Sequence, residues 1–176
     1  MRIRAILSAF ALVGITATTA QAQQNPVEIG IAAQIGFGLD DQGTTIAIPA
    51  QKIRAGFMLT PAMTIEPSLG FFRFSSDGSS ISTTALDVSL LYHFSTLRTA
   101  RQFYVRPVVG LQRISASSDL GDDSQTDMNL GVAGGIKIPL VDRVGARVEA
   151  EFRHYMSDPE SVNALNLNFG LSFFTR

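Results

Sequence analysis

Residues 165–174 read LNLNFGLSFF, and apolar and polar residues alternate without a break from Leu165 to Phe173. A period of two places successive side chains on opposite faces of a β-strand. The apolar face carries Leu and Phe, whereas the other carries Asn, Gly and Ser. Strands of about ten residues with one apolar and one polar face are typical of a transmembrane β-barrel. We therefore predict that this segment is a strand that faces lipid on one side.

Seven further segments repeat this period, which predicts an all-β, eight-stranded, antiparallel up-and-down barrel. In chain order they are residues 27–37, 52–59, 65–71, 86–94, 103–112, 127–138 and 144–153. The connections 60–62 and 139–143 are tight, and 38–45, 75–82, 114–126 and 155–162 are longer and rich in Gly, Ser and Asp. We expect the tight turns and both termini in the periplasm and the longer loops outside the cell. Ser95 to Gln102 is a long connection on the short-turn side.

Proline interrupts two of the predicted strands, at Pro67 and Pro107. Because proline has no N–H to donate, it is normally confined to edge strands and bulges. A closed barrel has no edge, so we predict a local bulge at each proline.

The N-terminus has the pattern of a cleavable signal peptide. Arg2 and Arg4 precede the apolar run from Ala5 to Ile15, and Ala20-Gln21-Ala22 supplies a cleavage site. We expect residues 1–22 to be removed and residues 23–176 to form one barrel domain. Loss of two arginines and no acid changes the formal net charge from −1 to −3, which does not favour nucleic acid as a partner.

Composition excludes several other ways of holding the protein in a membrane. The chain has no Cys, which excludes disulfides, thiolate metal sites and the acylated cysteine of a lipoprotein. Outside the signal there is no apolar run of about 18 residues, as a transmembrane helix would need. Apolar residues at every second strand position explain how 45% of the chain is hydrophobic and only 16% is charged.

The inward phase of the predicted strands collects six acidic and six basic residues. They are Glu28, Lys52, Arg54, Glu66, Asp87, Arg106, Asp127, Lys137, Arg147, Glu149, Glu151 and Arg153. Side chains just fill the interior of a barrel of about eight strands, so no continuous aqueous channel remains. We therefore predict that these charges satisfy one another and form a neutral plug in the lumen.

Alternation alone does not say which face is inside, so a soluble periplasmic barrel or sandwich with an apolar ligand cavity is an alternative. Two features favour the membrane barrel. The polar phase is interleaved with glycines, which make room in a narrow lumen, and the apolar phase ends in aromatic residues that fit interfacial girdles. Those glycines include Gly30, Gly36, Gly56, Gly70, Gly110, Gly131, Gly145 and Gly170, and the aromatics include Phe37, Phe57, Phe71, Tyr92, Phe94, Phe103, Phe152 and Phe173.

The eight predicted strands, the charged interior and the closing segment 168–174 resemble the OmpA/OmpX-type superfamily of small outer-membrane β-barrels. The resemblance covers the whole chain after the signal and implies an outer-membrane location, contact with lipid and lipopolysaccharide, and insertion by the barrel-assembly machinery. Thr175-Arg176 stands where the family usually ends in an aromatic residue. Such barrels act as membrane-stabilising proteins, adhesins or resistance factors, and only a few are enzymes.

His154 is a candidate for acyl hydrolysis, because Ser157 and Glu160 follow it and these three residue types form a minimal hydrolytic set. Outer-membrane lipid A deacylases are similar small barrels with a lipid-facing His-x-Ser and a Glu. The spacing here is His-x-x-Ser, and Asp158-Pro159 interrupts it. We interpret His154 as an interfacial residue and predict no deacylase activity.

Three other features are candidates for binding. Arg73 and Arg113 lie in the lipid-facing phase near the extracellular strand ends, where they either snorkel or contact a lipid phosphate. His93 faces the lumen near the periplasmic mouth, as a satisfied hydrogen-bonding residue. Four acids crowd the longest loop without the spacing of a calcium-binding loop, so we predict a solvated surface and no metal. These acids are Asp119, Asp122, Asp123 and Asp127.

The sequence therefore predicts a non-enzymatic, structural outer-membrane barrel with no cofactor and a plugged lumen. The main alternative is a surface protein that binds an extracellular partner through its loops. Those loops contain almost no aromatic residues, whereas binding surfaces usually use Tyr, Trp or Arg as anchors. A solute pore conflicts with the strand count.

Overall fold

The structure, a computed structural model, describes residues 26–39, 51–76, 79–95, 101–118, 121–157 and 160–175. These residues form a closed barrel in which each strand pairs antiparallel with the next and the last pairs with the first. The predicted fold class and strand number are confirmed. The strands are β1 (Val27–Gly38), β2 (Gln51–Thr60), β3 (Met63–Ser76), β4 (Ser79–His93), β5 (Gln102–Ser118), β6 (Gly121–Val141), β7 (Val144–Met156) and β8 (Val162–Phe174).

The apolar face of the strands is the outside of the barrel. On β7, Arg147, Glu149 and Glu151 are buried, whereas Val148 and Phe152 between and beyond them are 39% and 42% exposed. The same alternation is found in the other strands within the lipid-facing belt, where most of the large exposed side chains are Leu, Ile, Val and Phe. A surface of this kind is stable against lipid and not against water. No helix in the described residues is long and apolar enough to cross a membrane.

Two tight turns and both described termini lie at one end of the barrel, which we call the turn end. The turns join Thr60 to Met63 and Val141 to Val144, and Arg143 takes a positive φ of 67° in the second. The opposite end, where β1–β2, β3–β4, β5–β6 and β7–β8 connect, is the loop end. The connection after β4 also lies at the turn end, and its residues 96–100 fall outside the described part.

The predictions of loops at 75–82 and 114–126 are wrong, because β3, β4, β5 and β6 continue into these segments. Strands β3 and β4 are paired as far as Ser76 and Ser79, and β5 and β6 are paired as far as Ser118 and Gly121. Beyond the lipid-facing belt the outward phase is polar, as at Ser82 and Ser115, and the exposed apolar residues Ile81 and Ile114 stand in the opposite phase. The outward apolar pattern therefore stops although the backbone ladder continues. The predicted loop 38–45 falls mostly in residues 40–50, outside the described ranges.

The predicted bulges at Pro67 and Pro107 are also wrong. Pro67 pairs in register with Val88, and Pro107 pairs in register with Val132. Each residue of an antiparallel ladder directs its N–H toward one neighbour only, so a missing N–H affects one side. The registers on the other sides, toward β2 and β4, are the same above and below the prolines. The register shifts lie instead beside the turns, at Met58/Thr60 and Pro139/Val141.

Candidate functional site

The interior of the barrel is the candidate site. All twelve charged residues predicted to face inward are at most 8% exposed, because each stands in the buried phase of its strand. Eleven of them form ion pairs with one another in the described structure. Asp127, near the loop end, instead accepts a hydrogen bond of 2.9 Å from Gln125 Nε2.

Arg147 is the centre of the turn-end half of the lumen. Its Nη1 lies 2.7 Å from Glu66 Oε2 and its Nη2 lies 2.8 Å from Glu149 Oε2. Its Nε donates to the Tyr104 hydroxyl at 2.6 Å, and that hydroxyl donates to Glu149 Oε2 at 2.8 Å. Arg54 Nε approaches Glu66 Oε2 at 3.8 Å from the other side. Both carboxylates that accept from Arg147 are therefore shared with other donors.

A second pair lies beside this cluster at the turn end. Lys137 on β6 pairs with Glu28 on β1 across the lumen. Ser172 Oγ donates to Glu28 Oε1 at 2.6 Å and accepts from Arg54 Nη2 at 3.2 Å. The β8 serine thus joins the Glu28 pair to the Arg147 cluster.

Arg106 connects the two halves of the lumen. It pairs with both Glu149 and Glu151, and its Nε donates to Glu149 Oε2 at 3.0 Å. Glu151 Oε1 in turn lies 2.8 Å from Arg153 Nε. Because Arg106 and Glu151 each have two charged partners, the network is continuous from the turn-end half toward the loop end.

Asp87 is the acceptor of the loop-end half. Its two oxygens bind Arg153 Nη1 at 2.8 Å and Lys52 Nζ at 2.9 Å. Arg153 Nη1 also donates to Asn129 Oδ1 at 2.8 Å. Gly110 is what makes room here, because a Cβ at that position would overlap the Asp87 carboxylate.

These pairs join strands that are not neighbours in the sheet. Arg147 to Glu66 connects β7 to β3, Arg153 to Asp87 connects β7 to β4, and Lys52 to Asp87 connects β2 to β4. The network therefore crosses the lumen at several heights. Its chemistry is that of mutual neutralisation, since every carboxylate in it already accepts from at least one cation.

Sequence reasoning gave no role to the neutral residues of the network. Tyr104, Asn129, Asn168 and Ser172 are each at most 5% exposed, and Asn168 Nδ2 donates to Glu149 Oε1 at 3.1 Å. These four residues stand in the same inward phase of their strands as the charged residues, and that position could have predicted their part in the network. His93 is also buried, but the prediction that it is satisfied does not hold for Nε2, which has no hydrogen-bond partner among the described residues.

The candidates on the outside of the barrel are separate from the network. His154 Nδ1 lies 2.9 Å from Asn163 Oδ1, so an amide and not a carboxylate orients the ring. Ser157 is half-buried and Glu160 is exposed. Arg73 and Arg113 are both exposed, and Arg113 Nη2 donates to Ser124 Oγ at 3.1 Å.

The acidic segment predicted as a loop is part of the β5–β6 hairpin. Asp123 pairs with Ala116, Asp127 pairs with Gln112, and Asp119 lies outside the described residues. Among the residues that the structure describes, no group of three or more His, Cys, Asp or Glu could hold a metal ion.

Comparisons with known proteins identify the family. The family described as "Outer membrane protein beta-barrel domain" matches residues 8–173, and the chain belongs to it. The protein is therefore a small barrel of the bacterial outer membrane, as the resemblance implied. Curated protein sequences contain no match to the chain.

Solved structures with the same fold share little sequence with this chain. Neisserial surface protein A is 16% identical with a TM-score of 0.66, over 84% of this chain and 95% of that one. Ail, the attachment invasion locus protein of Yersinia pestis, in complex with the heparin analogue sucrose octasulfate, is 13% identical with a TM-score of 0.61, over 86% and 99%. The outer membrane enzyme PagL is 13% identical with a TM-score of 0.51, over 80% and 97%.

Membership of this family also orients the barrel. Outer-membrane barrels have short turns on the periplasmic side, whereas the chain extends further beyond the lipid-facing belt on the outside. Here the β3–β4 and β5–β6 hairpins make that longer extension at the loop end. The turn end is therefore periplasmic, and the loop end is extracellular.

Proposed function

We propose that this chain is a non-enzymatic structural barrel of the outer membrane whose lumen is closed by its ion-pair network. The observation that supports the proposal most directly is the position of Arg106 and Arg147, each buried and each paired with two carboxylates in the middle of the barrel. A solute passing along the axis would have to separate these pairs. Removing one partner of a buried pair leaves an uncompensated charge, which makes such an opening costly.

The network also favours a structural role over catalysis. Every carboxylate in it is already neutralised by a cation, so none is placed as a free base. Outside the barrel, His154 Nδ1 lies beside the Asn163 amide oxygen, and no hydrogen bond joins His154 to Ser157 in the described residues. A hydrolytic histidine needs a nucleophile within hydrogen-bond reach. The likeness to an outer membrane enzyme concerns the fold.

A deletion strain tests the structural role. We expect deletion to increase the uptake of a hydrophobic dye and the release of outer-membrane vesicles, and we expect the wild-type gene to reverse both. A variant in which Ala116 and Ser117 are both replaced by Glu should restore the envelope equally well, since these residues lie beyond the lipid-facing belt. An intact envelope in the deletion strain would contradict the structural role.

A second candidate is a surface that binds an extracellular partner. The β5–β6 hairpin continues beyond Leu111 and Met128, the last paired apolar residues of its outer face, as far as Ser118 and Gly121. This extension gives a partner the accessible surface of seven further residues on each strand, 112–118 and 121–127. Failure of the Ala116→Glu/Ser117→Glu variant to bind host cells or extracellular matrix to which the wild type binds, with an intact envelope, would favour this candidate over the structural one.

The proposal includes export and assembly. Residues 1–22 act as a cleaved signal peptide, residues 23–176 are the barrel domain, and the β8 segment is read by the barrel-assembly machinery. N-terminal sequencing of the protein from purified outer membranes tests the cleavage, and we expect a first residue near Gln23. An uncleaved N-terminus would contradict it.

A further inference from the structure

The outer face of β3–β6 changes from apolar to mainly polar within one row of residues. Cross-strand pairing aligns Leu69, Leu86, Leu111 and Met128 in one outward row. All four are exposed, from 38% to 51%. An exposed row of this composition belongs in the hydrocarbon region, so the next rows toward the loop end lie at the level of the lipid headgroups.

The two rows above this boundary combine arginine with hydroxyl groups. The first row aligns Phe71, Thr84, Arg113 and Thr126, and the second aligns Arg73, Ser82, Ser115 and Ser124. Neither row contains a carboxylate. The lumen arginines are neutralised by paired acids, whereas these two point away from that network.

The two arginines stand on either side of β4. Two strand spacings separate β3 from β5, about 10 Å, and the positions differ by one row along the strands. Thr84 and Ser82 lie between them. Arg113 is held by its bond to Ser124 Oγ at 3.1 Å, which leaves further guanidinium N–H groups for a ligand. The arrangement therefore offers two cationic groups with hydroxyls between them.

The described residues of β7, β8 and β1 do not repeat this arrangement at the loop end. At the loop end of β7, β8 and β1, the described outward-facing residues include no Lys or Arg. Among the described residues, the cationic patch therefore lies on the β3–β5 side of the barrel. A generic need to snorkel would place arginines around the rim without regard to strand.

We propose that Arg73 and Arg113 bind phosphate groups of a phosphorylated glycolipid in the outer leaflet, with the hydroxyls of Ser82 and Thr84 donating to its phosphate or sugar oxygens. The guanidinium fork matches phosphate geometry and gives charge-assisted hydrogen bonds. A lipid is the occupant because the row below is in contact with acyl chains. The inference depends on the membrane position of the barrel and not on the closed lumen.

The test measures binding of lipopolysaccharide to the full barrel in detergent, by fluorescence titration. Dephosphorylated lipopolysaccharide and phosphatidylglycerol are the competitors. We expect the wild type to prefer the phosphorylated glycolipid over the dephosphorylated form by about tenfold or more, as charge-assisted hydrogen bonds of this kind allow. The double variant Arg73→Gln/Arg113→Gln should lose that preference while keeping the gel mobility of a folded barrel.

The matched control is Arg101→Gln/Arg143→Gln, which removes two exposed arginines at the turn end. It should keep the wild-type preference. The proposal is overturned if the wild type does not discriminate between the two glycolipids, or if both double variants behave alike. Equal competition by phosphatidylglycerol would overturn the assignment to a glycolipid.

Discussion

Arg147 Nη1 lies 2.7 Å from Glu66 Oε2, although the residues are 81 positions apart in the chain and stand on β7 and β3. The pair crosses the lumen, because β3 and β7 are on opposite sides of the eight-stranded barrel. Neither side chain is accessible from either mouth, since Arg147 is 2% exposed and Glu66 is 1% exposed. Contacts of this kind tie the walls together independently of the backbone ladder.

Arg147→Ala should lower the free energy of unfolding by about 3–5 kcal/mol, because it leaves Glu66 and Glu149 with fewer partners in a buried site. Urea titration in detergent, with gel mobility as the folded-state signal, measures it. Arg106→Ala should act in the same direction, and Arg101→Ala, at an exposed position, should change little. An unchanged midpoint for both lumen variants would contradict the plug.

Gly135→Ala should destabilise the barrel by about 1–3 kcal/mol, as overpacking does. A Cβ there would overlap the Tyr104 hydroxyl and lie 2.8 Å from the Val148 carbonyl oxygen. Gly134→Ala is the matched control, because nothing lies within 4 Å of a Cβ at that outward position. Equal unfolding midpoints for the two alanine variants would show that the lumen is looser than described.

Tyr104→Phe should cost about 1–3 kcal/mol of unfolding free energy. The lost hydroxyl donates to Glu149 and accepts from Arg147, so its removal leaves two buried charged groups short of one bond. Tyr92→Phe removes the same atom at an outward position that is 47% exposed, and it should be nearly neutral. The difference between the two variants isolates the contribution of the network.

Incubation of lipid A with the pure protein should release no acyl chain. His154 Nδ1 is engaged by Asn163, and the His-x-x-Ser spacing differs from that of the deacylases. Mass spectrometry of the lipid measures the result. Loss of an acyl chain with the wild type, but not with His154→Ala, would establish a hydrolase.

The period of two was sufficient to predict the barrel and the inward position of all twelve charged residues. It was sufficient because a side-chain period of two fixes the face of every residue once the register of a strand is known. Composition then indicated which face is inside, as glycines such as Gly110 and Gly135 alternate with the charges. Which acid pairs with which base was not predictable, since partners such as Lys137 and Glu28 lie 109 positions apart.

The upper limits of the strands were predicted poorly for a related reason. Ser82, Ser115 and Thr126 continue the ladder in a region where the outward phase is polar and the opposite phase carries exposed apolar residues such as Phe74, Ile81 and Ile114. The outward apolar pattern that identified the strands is therefore lost there. The prediction of bulges at Pro67 and Pro107 was wrong because it assumed that a proline disturbs the pairing on both sides of its strand. Its missing N–H concerns only one neighbour.

The most direct test of the closed lumen is single-channel recording of the purified protein in a planar bilayer. The ion-pair network predicts no steady conductance above that of the bare membrane, for the wild type and for Arg147→Lys, which preserves the charge. Reproducible ohmic conductance steps that persist in Arg147→Lys would mean that ions cross the barrel, and they would contradict the plug.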